Sequence, residues 1–198
     1  MKACLMKKIA IMALQGAFAE HEQMLHRLGA ETMQIRNLAD WNDFLGEPGL
    51  AGDFKGLGLV MPGGESTAMM RIMRDEELFE PLQKAIRAGL PVFGTCAGLI
   101  LLDKVHLDTM NITALRNAYG RQLGSFYTES DFRGIDSKVP MTFIRAPYIS
   151  EAGEGVDVLA VVDGRIVAAR QGKQLVTAFH PELNEDTRVH EYFLGFID

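Results

Sequence analysis

Three side chains have the types and spacing to carry out nucleophilic catalysis. Cys96 lies in residues 91–102, PVFGTCAGLILL, where a short apolar run leads into Gly94-Thr95-Cys96-Ala97-Gly98 and then into a second apolar run. This is a G-x-C-x-G form of the nucleophile elbow, a sharp strand-to-helix turn that holds the reactive side chain in a strained backbone. Small residues on either side let strand and helix approach closely. The helix start behind the sulfur offers unpaired N–H groups and a positive dipole end, both of which favour thiolate. Further on, residues 178–182 read Ala-Phe-His-Pro-Glu. Pro181 is expected to fix an extended geometry between its neighbours, in which residues two apart share a side, so the Glu182 carboxylate can lie beside the His180 imidazole. A nucleophile, a base and a carboxylate that orients the base complete the logic of a catalytic triad.

Each of these residues has a plainer alternative. A strand-end cysteine is commonly a small buried hydrophobe, and a single histidine is commonly structural. The combination argues for chemistry. His21, His26, His106 and His190 carry no comparable context, and no His/Cys/Asp/Glu set at ligand spacing suggests a metal. Gly56-Leu57-Gly58 lacks the third glycine of a dinucleotide-binding turn, so no nucleotide cofactor is expected. Residues 62–67, PGGEST, read as a strand-to-helix turn in which Ser66 or Thr67 caps the next helix. The Gly63-Gly64 pair leaves the backbone free to aim an N–H at an oxyanion.

The elements that must position these groups alternate. Strands are expected at residues 8–14, 32–36, 57–61 and 91–93, and helices at 17–28, around Trp41 and Phe44, after the PGGEST turn and at 76–88. Phe18, His21, Leu25 and Leu28 mark the apolar stripe of the first helix. This cadence argues for a parallel sheet covered on both faces, with ligands beyond the carboxyl ends of its strands. Gln15-Gly16, Gly63-Gly64 and Cys96 all fall at such ends. After residue 103 the pieces become shorter and β-rich: around 121–128, then 141–145, 156–162, 165–170 and 174–179, with an Asp163-Gly164 hairpin signal. Residues 187–197 close the chain as a helix. The expected architecture is α/β: a three-layer sandwich with a mostly parallel central sheet, a nucleophile elbow and an antiparallel, β-rich C-terminal part, built as a single domain over residues 1–198.

Composition narrows the function. Apolar residues make up 47% and charged residues 23%, an ordinary globular balance. A net charge of −6 offers nothing to nucleic acid, and no apolar run is long enough to span a bilayer. The two cysteines, Cys4 and Cys96, do not make a disulfide framework, so a reducing cytoplasm is expected. A small polar substrate fits best.

Taken together, ALQGAFAEH (13–21), PGGEST, GTCAGLILL, RNAYGRQLGSF (116–126), FIRAP and FHPEL resemble the glutaminase subunits of pyridoxal 5′-phosphate synthase, which are class I, triad glutamine amidotransferases. The resemblance runs over nearly the whole chain. Ile100 stands where more general triad amidotransferases carry glutamine. MKACL precedes the expected start at Met6, residues 46–56 are longer than expected and residues 103–110 are shorter.

The resemblance implies a flavodoxin-like fold with Cys96, His180 and Glu182 as catalytic triad. It places Gly64, Glu65, Ser66, Arg116, Ile144 and Arg145 around bound L-glutamine, and Gly63, Gly64 and the Ala97 N–H in the oxyanion hole. It implies hydrolysis to glutamate and ammonia without cofactor. The ammonia passes to a synthase (lyase) subunit in a large hetero-oligomer, and Gln15 is a candidate for coupling the two. Competing readings are a glutaminase serving another synthase or a cysteine hydrolase of the related peptidase-like α/β group, against both of which Ile100 and RNAYGRQ stand, and a silent regulatory or scaffold subunit, against which the intact triad stands.

Overall fold

A computed structural model describes residues 6–46, 54–116 and 125–198. Cys4, most of the 46–56 connection and residues 117–124 of the RNAYGRQLGSF segment lie outside the described residues.

The first half alternates as its apolar pattern requires. Strand β1 (Lys8–Met12) leads to α1 (Phe18–Arg27), β2 (Glu31–Ile35), α2 (Leu38–Leu45), β3 (Leu57–Met61), α3 (Ser66–Asp75), α4 (Phe79–Arg87), β4 (Val92–Thr95) and α5 (Ala97–Leu102). Ile9, Ala10, Ile11 and Met12 are all fully buried. Successive strand residues point to opposite faces, so consecutive burial means that both faces of β1 are covered. The expected Ser66 or Thr67 cap is corrected: Glu65 is the N-cap, its carboxylate accepting from the N–H groups of Thr67 and Ala68, while Ser66 is buried in the first turn. A carboxylate serves an N-cap as well as a hydroxyl and also complements the helix dipole. Helix α4 begins at Phe79 rather than residue 76, because Glu77 adopts a positive φ of 56° in the turn before it.

The second half contributes β5 (Ile112–Leu115), β6 (Ser125–Phe132), β7 (Ile135–Ile144), β8 (Tyr148–Ala152), β9 (Asp157–Val162), β10 (Arg165–Gln171), β11 (Gln174–Thr177), a 3-10 turn (Pro181–Leu183) and α6 (Arg188–Leu194). The main sheet runs β2-β1-β3-β4-β11-β10-β8-β5, with β9 also paired to β10. The pairings from β2 through β11 are parallel, and those beyond β11 are antiparallel. Strands β6 and β7 form a separate two-stranded ribbon. Asp163-Gly164 joins β9 to β10, as the hairpin signal indicates.

Strand β11 is therefore the hinge of the design. It adds a last parallel strand beside β4, in the register Phe93↔Leu175, although it arrives from the antiparallel half. The carboxyl ends of β1, β3, β4 and β11 then lie along one sheet edge and deliver Gln15, Gly63-Gly64, Cys96 and His180. Among the described residues no helix is long and apolar enough to cross a membrane.

Close approach at the elbow depends on Gly98. A methyl group there would lie 2.0 Å from the Met61 carbonyl oxygen, and one at Gly94 would lie 2.7 Å from the Gly98 carbonyl carbon. Both obstacles are backbone and cannot swing aside. Gly98→Ala is expected to cost about 2 kcal/mol or more, an overpacking penalty. Urea denaturation measures it, and an unchanged midpoint would contradict this packing.

Candidate active site

Cys96 occupies the single residue between β4 and α5 with φ 49° and ψ −98°, a conformation L-residues avoid. Its N–H donates to the Thr177 carbonyl at 2.8 Å, tying the elbow to the end of β11. The residue is 8% exposed, with Sγ 4.0 Å from the Ile144 carbonyl oxygen. The next residue, Ala97, opens α5, so its N–H has no acceptor within the helix and is available at the base of the elbow.

His180 and Glu182 come together as expected, but by a different route. Residues 181–183 form a 3-10 turn, not an extended segment. Pro181 starts that turn, where its fixed φ is suitable and its missing N–H is not needed. The turn folds Glu182 back so that Oε1 lies 2.7 Å from His180 Nδ1. The His180 N–H donates to Thr142 of β7 at 2.8 Å, which fixes the start of the turn.

Burial draws the His180 imidazolium down, but hydrogen bonds to Cys96 and Glu182, with the charges they carry, outweigh it and push His180 up to about 10. Burial pushes the Glu182 carboxyl up, and the neighbouring His21 and His180 overcome this to hold it below its ordinary value. The arrangement is a positively charged imidazole between a sulfur and a carboxylate.

Gly63 lies directly over this group. A methyl there would come within 2.3 Å of His180 Cε1 and 3.4 Å of Cys96 Cβ. The Gly63 carbonyl accepts from the Ala17 N–H at 3.2 Å, so across the planar trans peptide the Gly64 N–H points away from Ala17.

Among the other predicted residues, Gln15, Glu65, Arg116, Ile144 and Arg145 form an exposed rim. Arg116 donates to Thr67 Oγ1 at 2.9 Å, placing a guanidinium at the N-terminus of α3 beside Glu65. The N–H of Thr67, that of Ala68 and the Arg116 charge hold the Glu65 carboxyl below its usual range. The Glu65 N–H donates to Gln15 Oε1 at 3.3 Å, joining the end of β1 to the same loop. Ile144 and Arg145 are exposed at the end of β7, Arg145 at φ 45°. Ser66 is only 4% exposed and sits under the rim. What the sequence reading missed is His21 and His190: both are completely buried, and His21 Nε2 lies 3.4 Å from Glu182 Oε2. The signal was His21 on the apolar face of its helix, a polar group heading into a core.

Comparison with known proteins agrees with this geometry. The profile of the SNO glutamine amidotransferase family matches residues 11–197. The pyridoxal 5′-phosphate synthase subunit PdxT of Streptococcus pneumoniae (serotype 2, strain D39) is 52% identical over 195 residues, covering 95% of this chain and 96% of that protein. A solved glutamine amidotransferase superposes with a TM-score of 0.84 at 38% identity, covering 96% of this chain and 98% of that one. PurLQS from Thermotoga maritima, at 15% identity and a TM-score of 0.72, shares the fold. With a family match running from β1 to the C-terminal residues, over a nucleophile elbow and a His–Glu pair, the chain belongs to the SNO glutamine amidotransferase family.

Proposed function

We propose that this chain is the glutaminase subunit of a pyridoxal 5′-phosphate synthase, acting in vitamin B6 synthesis. It hydrolyses L-glutamine and hands the ammonia to a synthase subunit. The observation that carries this is the Cys96 elbow facing a protonated His180 held by Glu182, in a chain half identical to a PdxT subunit.

The Cys96 thiolate attacks the side-chain carbonyl carbon of glutamine. The oxyanion that forms is met by the Ala97 and Gly64 N–H groups at the Gly63-Gly64 turn. As the C–N bond breaks, the His180 imidazolium gives its proton to the leaving nitrogen, releasing ammonia and leaving a glutamyl thioester on Cys96. Neutral His180 then takes a proton from water, and the hydroxide attacks the thioester. Glutamate departs and the thiolate–imidazolium pair is restored.

A free amino acid presents a carboxylate and an ammonium, and the rim supplies both counterparts. Arg116 offers a guanidinium fork and Glu65 a carboxylate, and the family resemblance adds Ser66, Ile144 and Arg145 to the glutamine site. Arg116→Ala is expected to raise KM for glutamine about 10- to 100-fold, the usual worth of a charge-assisted hydrogen bond, with kcat changed far less. Steady-state kinetics separate the two. A KM within a factor of two of wild type removes Arg116 from the substrate site.

The ammonia is consumed on the partner. Gln15 bonds the loop that carries Glu65, and a methyl on the adjacent Gly16 would lie 1.7 Å from the Gly63 oxygen. A partner pressing on the end of β1 therefore reaches the Gly63-Gly64 turn through the Gln15 side chain and the backbone of Gly16 and Ala17. The assembly is a hetero-oligomer working in a reducing compartment such as the cytoplasm.

Glutamate release by the purified chain, alone and with an added pyridoxal 5′-phosphate synthase subunit, tests the proposal. Activity that appears or rises sharply with the partner is the expected result. Silence in both mixtures, with binding demonstrated, would favour a regulatory subunit.

A further inference from the structure

Behind the triad lies a pair of histidines with no step in glutamine hydrolysis. His21 comes from α1 and His190 from α6, and both have 0% exposure. His21 Nδ1 lies 2.9 Å from His190 Nε2. The other nitrogen, His21 Nε2, lies 3.0 Å from Thr95 Oγ1 and 3.4 Å from Glu182 Oε2. That carboxylate oxygen is the one left over once Oε1 has engaged His180, and among the described residues no hydrogen bond of ordinary geometry reaches it. Phe93 stands edge-on to both rings and walls off water.

The protons of this chain of groups can be placed by elimination. Of two nitrogens 2.9 Å apart, one carries the shared hydrogen. Suppose it is His21 Nδ1. Then His21 Nε2 is bare and accepts from the Thr95 hydroxyl with its lone pair still close to a carboxylate, and His190 must hold its proton on Nδ1, a buried atom with no partner among the described residues. An orphaned buried donor beside a lone pair facing a negative charge is the costly solution. Suppose instead it is His190 Nε2. Then His21 is protonated on Nε2, its N–H donates to Thr95 Oγ1 and lies beside Glu182 Oε2, and the imidazole atom left over is His190 Nδ1, an unused acceptor rather than an orphaned donor. Burial holds both rings neutral: it draws His21 down against the pull of Glu182 and Glu20 and with the push of His180, and it draws His190 well down with His21 adding to the effect.

We infer that His21, fixed in its Nε2–H tautomer by His190, is a positioning residue for the triad: it sets the positive end of an N–H dipole beside Glu182 Oε2 and so keeps that carboxylate ionised and turned toward His180. A buried carboxylate with one satisfied oxygen is poorly stabilised, and the second dipole compensates. His180 thereby retains the proton that ammonia release consumes. This deepens the glutaminase reading and rests on it only for that last step.

Two measurements decide it. Long-range 1H–15N correlation on the labelled chain at neutral pH reports ring tautomers directly, and both His21 and His190 are expected to carry hydrogen on Nε2 alone. Hydrogen on His21 Nδ1 overturns the proposal, whatever any variant does. The second compares His21→Leu with His21→Gln by titrating His180 in the same spectra. In the Leu variant the His180 midpoint is expected to fall by about one pH unit or more, roughly tenfold in proton affinity, with kcat lowered and KM held. In the Gln variant, whose amide keeps an N–H for Glu182 and a carbonyl for His190, most of the fall is recovered. A folded Leu variant with a wild-type His180 midpoint refutes the inference. The titration needs no glutamine, so a chain that shows the shift but never releases glutamate overturns the glutaminase reading alone.

Discussion

Cys96→Ala is expected to abolish glutamate release, with a fall of at least about 10⁴-fold, as when the nucleophile of a covalent mechanism is removed. The assay includes the synthase subunit, so that a resting wild-type enzyme does not conceal the loss. The fold should survive. Cys96 is held by its N–H bond to Thr177 and by the approach of Gly94 to Gly98, none of which involves the sulfur. The substitution also leaves a trace at His180. One of the hydrogen bonds that raise its imidazolium comes from Cys96, so in the variant His180 titrates below about 10. A folded Cys96→Ala protein that still released glutamate would transfer the nucleophilic role to another group and undo the mechanism.

Glu182→Gln is the second large effect. The amide preserves shape but loses the charge that holds the imidazolium, and it presents a donor or an acceptor to His180 Nδ1 with no preference for the correct tautomer. A kcat loss of roughly 10³- to 10⁴-fold follows by analogy with triads in which the orienting carboxylate is neutralised. Stability reports the same interaction. Glu182 is depressed below its ordinary 4.5, so its contribution is present above that pH and is lost as pH falls through the lower folded value. His180 is raised from 6.5 to about 10, so its contribution is complete below 6.5 and is lost as pH rises through about 10. Wild-type melting temperature should therefore decline between pH 6.5 and 10, and Glu182→Gln should flatten that decline. Equal slopes for the two proteins, measured by thermal unfolding at matched ionic strength, would mean that the His180–Glu182 pair does not support the fold.

The site was legible where the signal was local. Gly94, Cys96 and Gly98 announce an elbow because each glycine meets a steric demand that a Cβ violates. The parallel half was legible because β1, β3 and β4 are buried on both faces and read as apolar runs between helices. His180 and Glu182 were paired correctly on an incorrect premise, since proline at the start of a 3-10 turn and proline in an extended strand look the same in sequence. The first part of β7 gives no strand signal: Asp136, Ser137 and Lys138 are exposed and Pro140 interrupts the run, all tolerable in a two-stranded ribbon that, among the described residues, pairs β7 with β6 alone. Strands β5 and β8, at the far edge of the sheet, are only partly buried and so carry no continuous apolar run to mark them in sequence. His21 and His190 were dismissed singly. Each is unremarkable alone, and only the fold brings together two rings that are 169 residues apart.

The most direct test of the central claim is covalent. A diazoketone analogue of glutamine places an electrophilic carbon where a nucleophile attacks, and mass spectrometry of the labelled peptides locates the bond. With the synthase subunit present, the account predicts a single adduct on Cys96, suppressed by excess L-glutamine and absent from Cys96→Ala. An adduct on Cys4 alone, or labelling of Cys96 that glutamine leaves untouched, would contradict it.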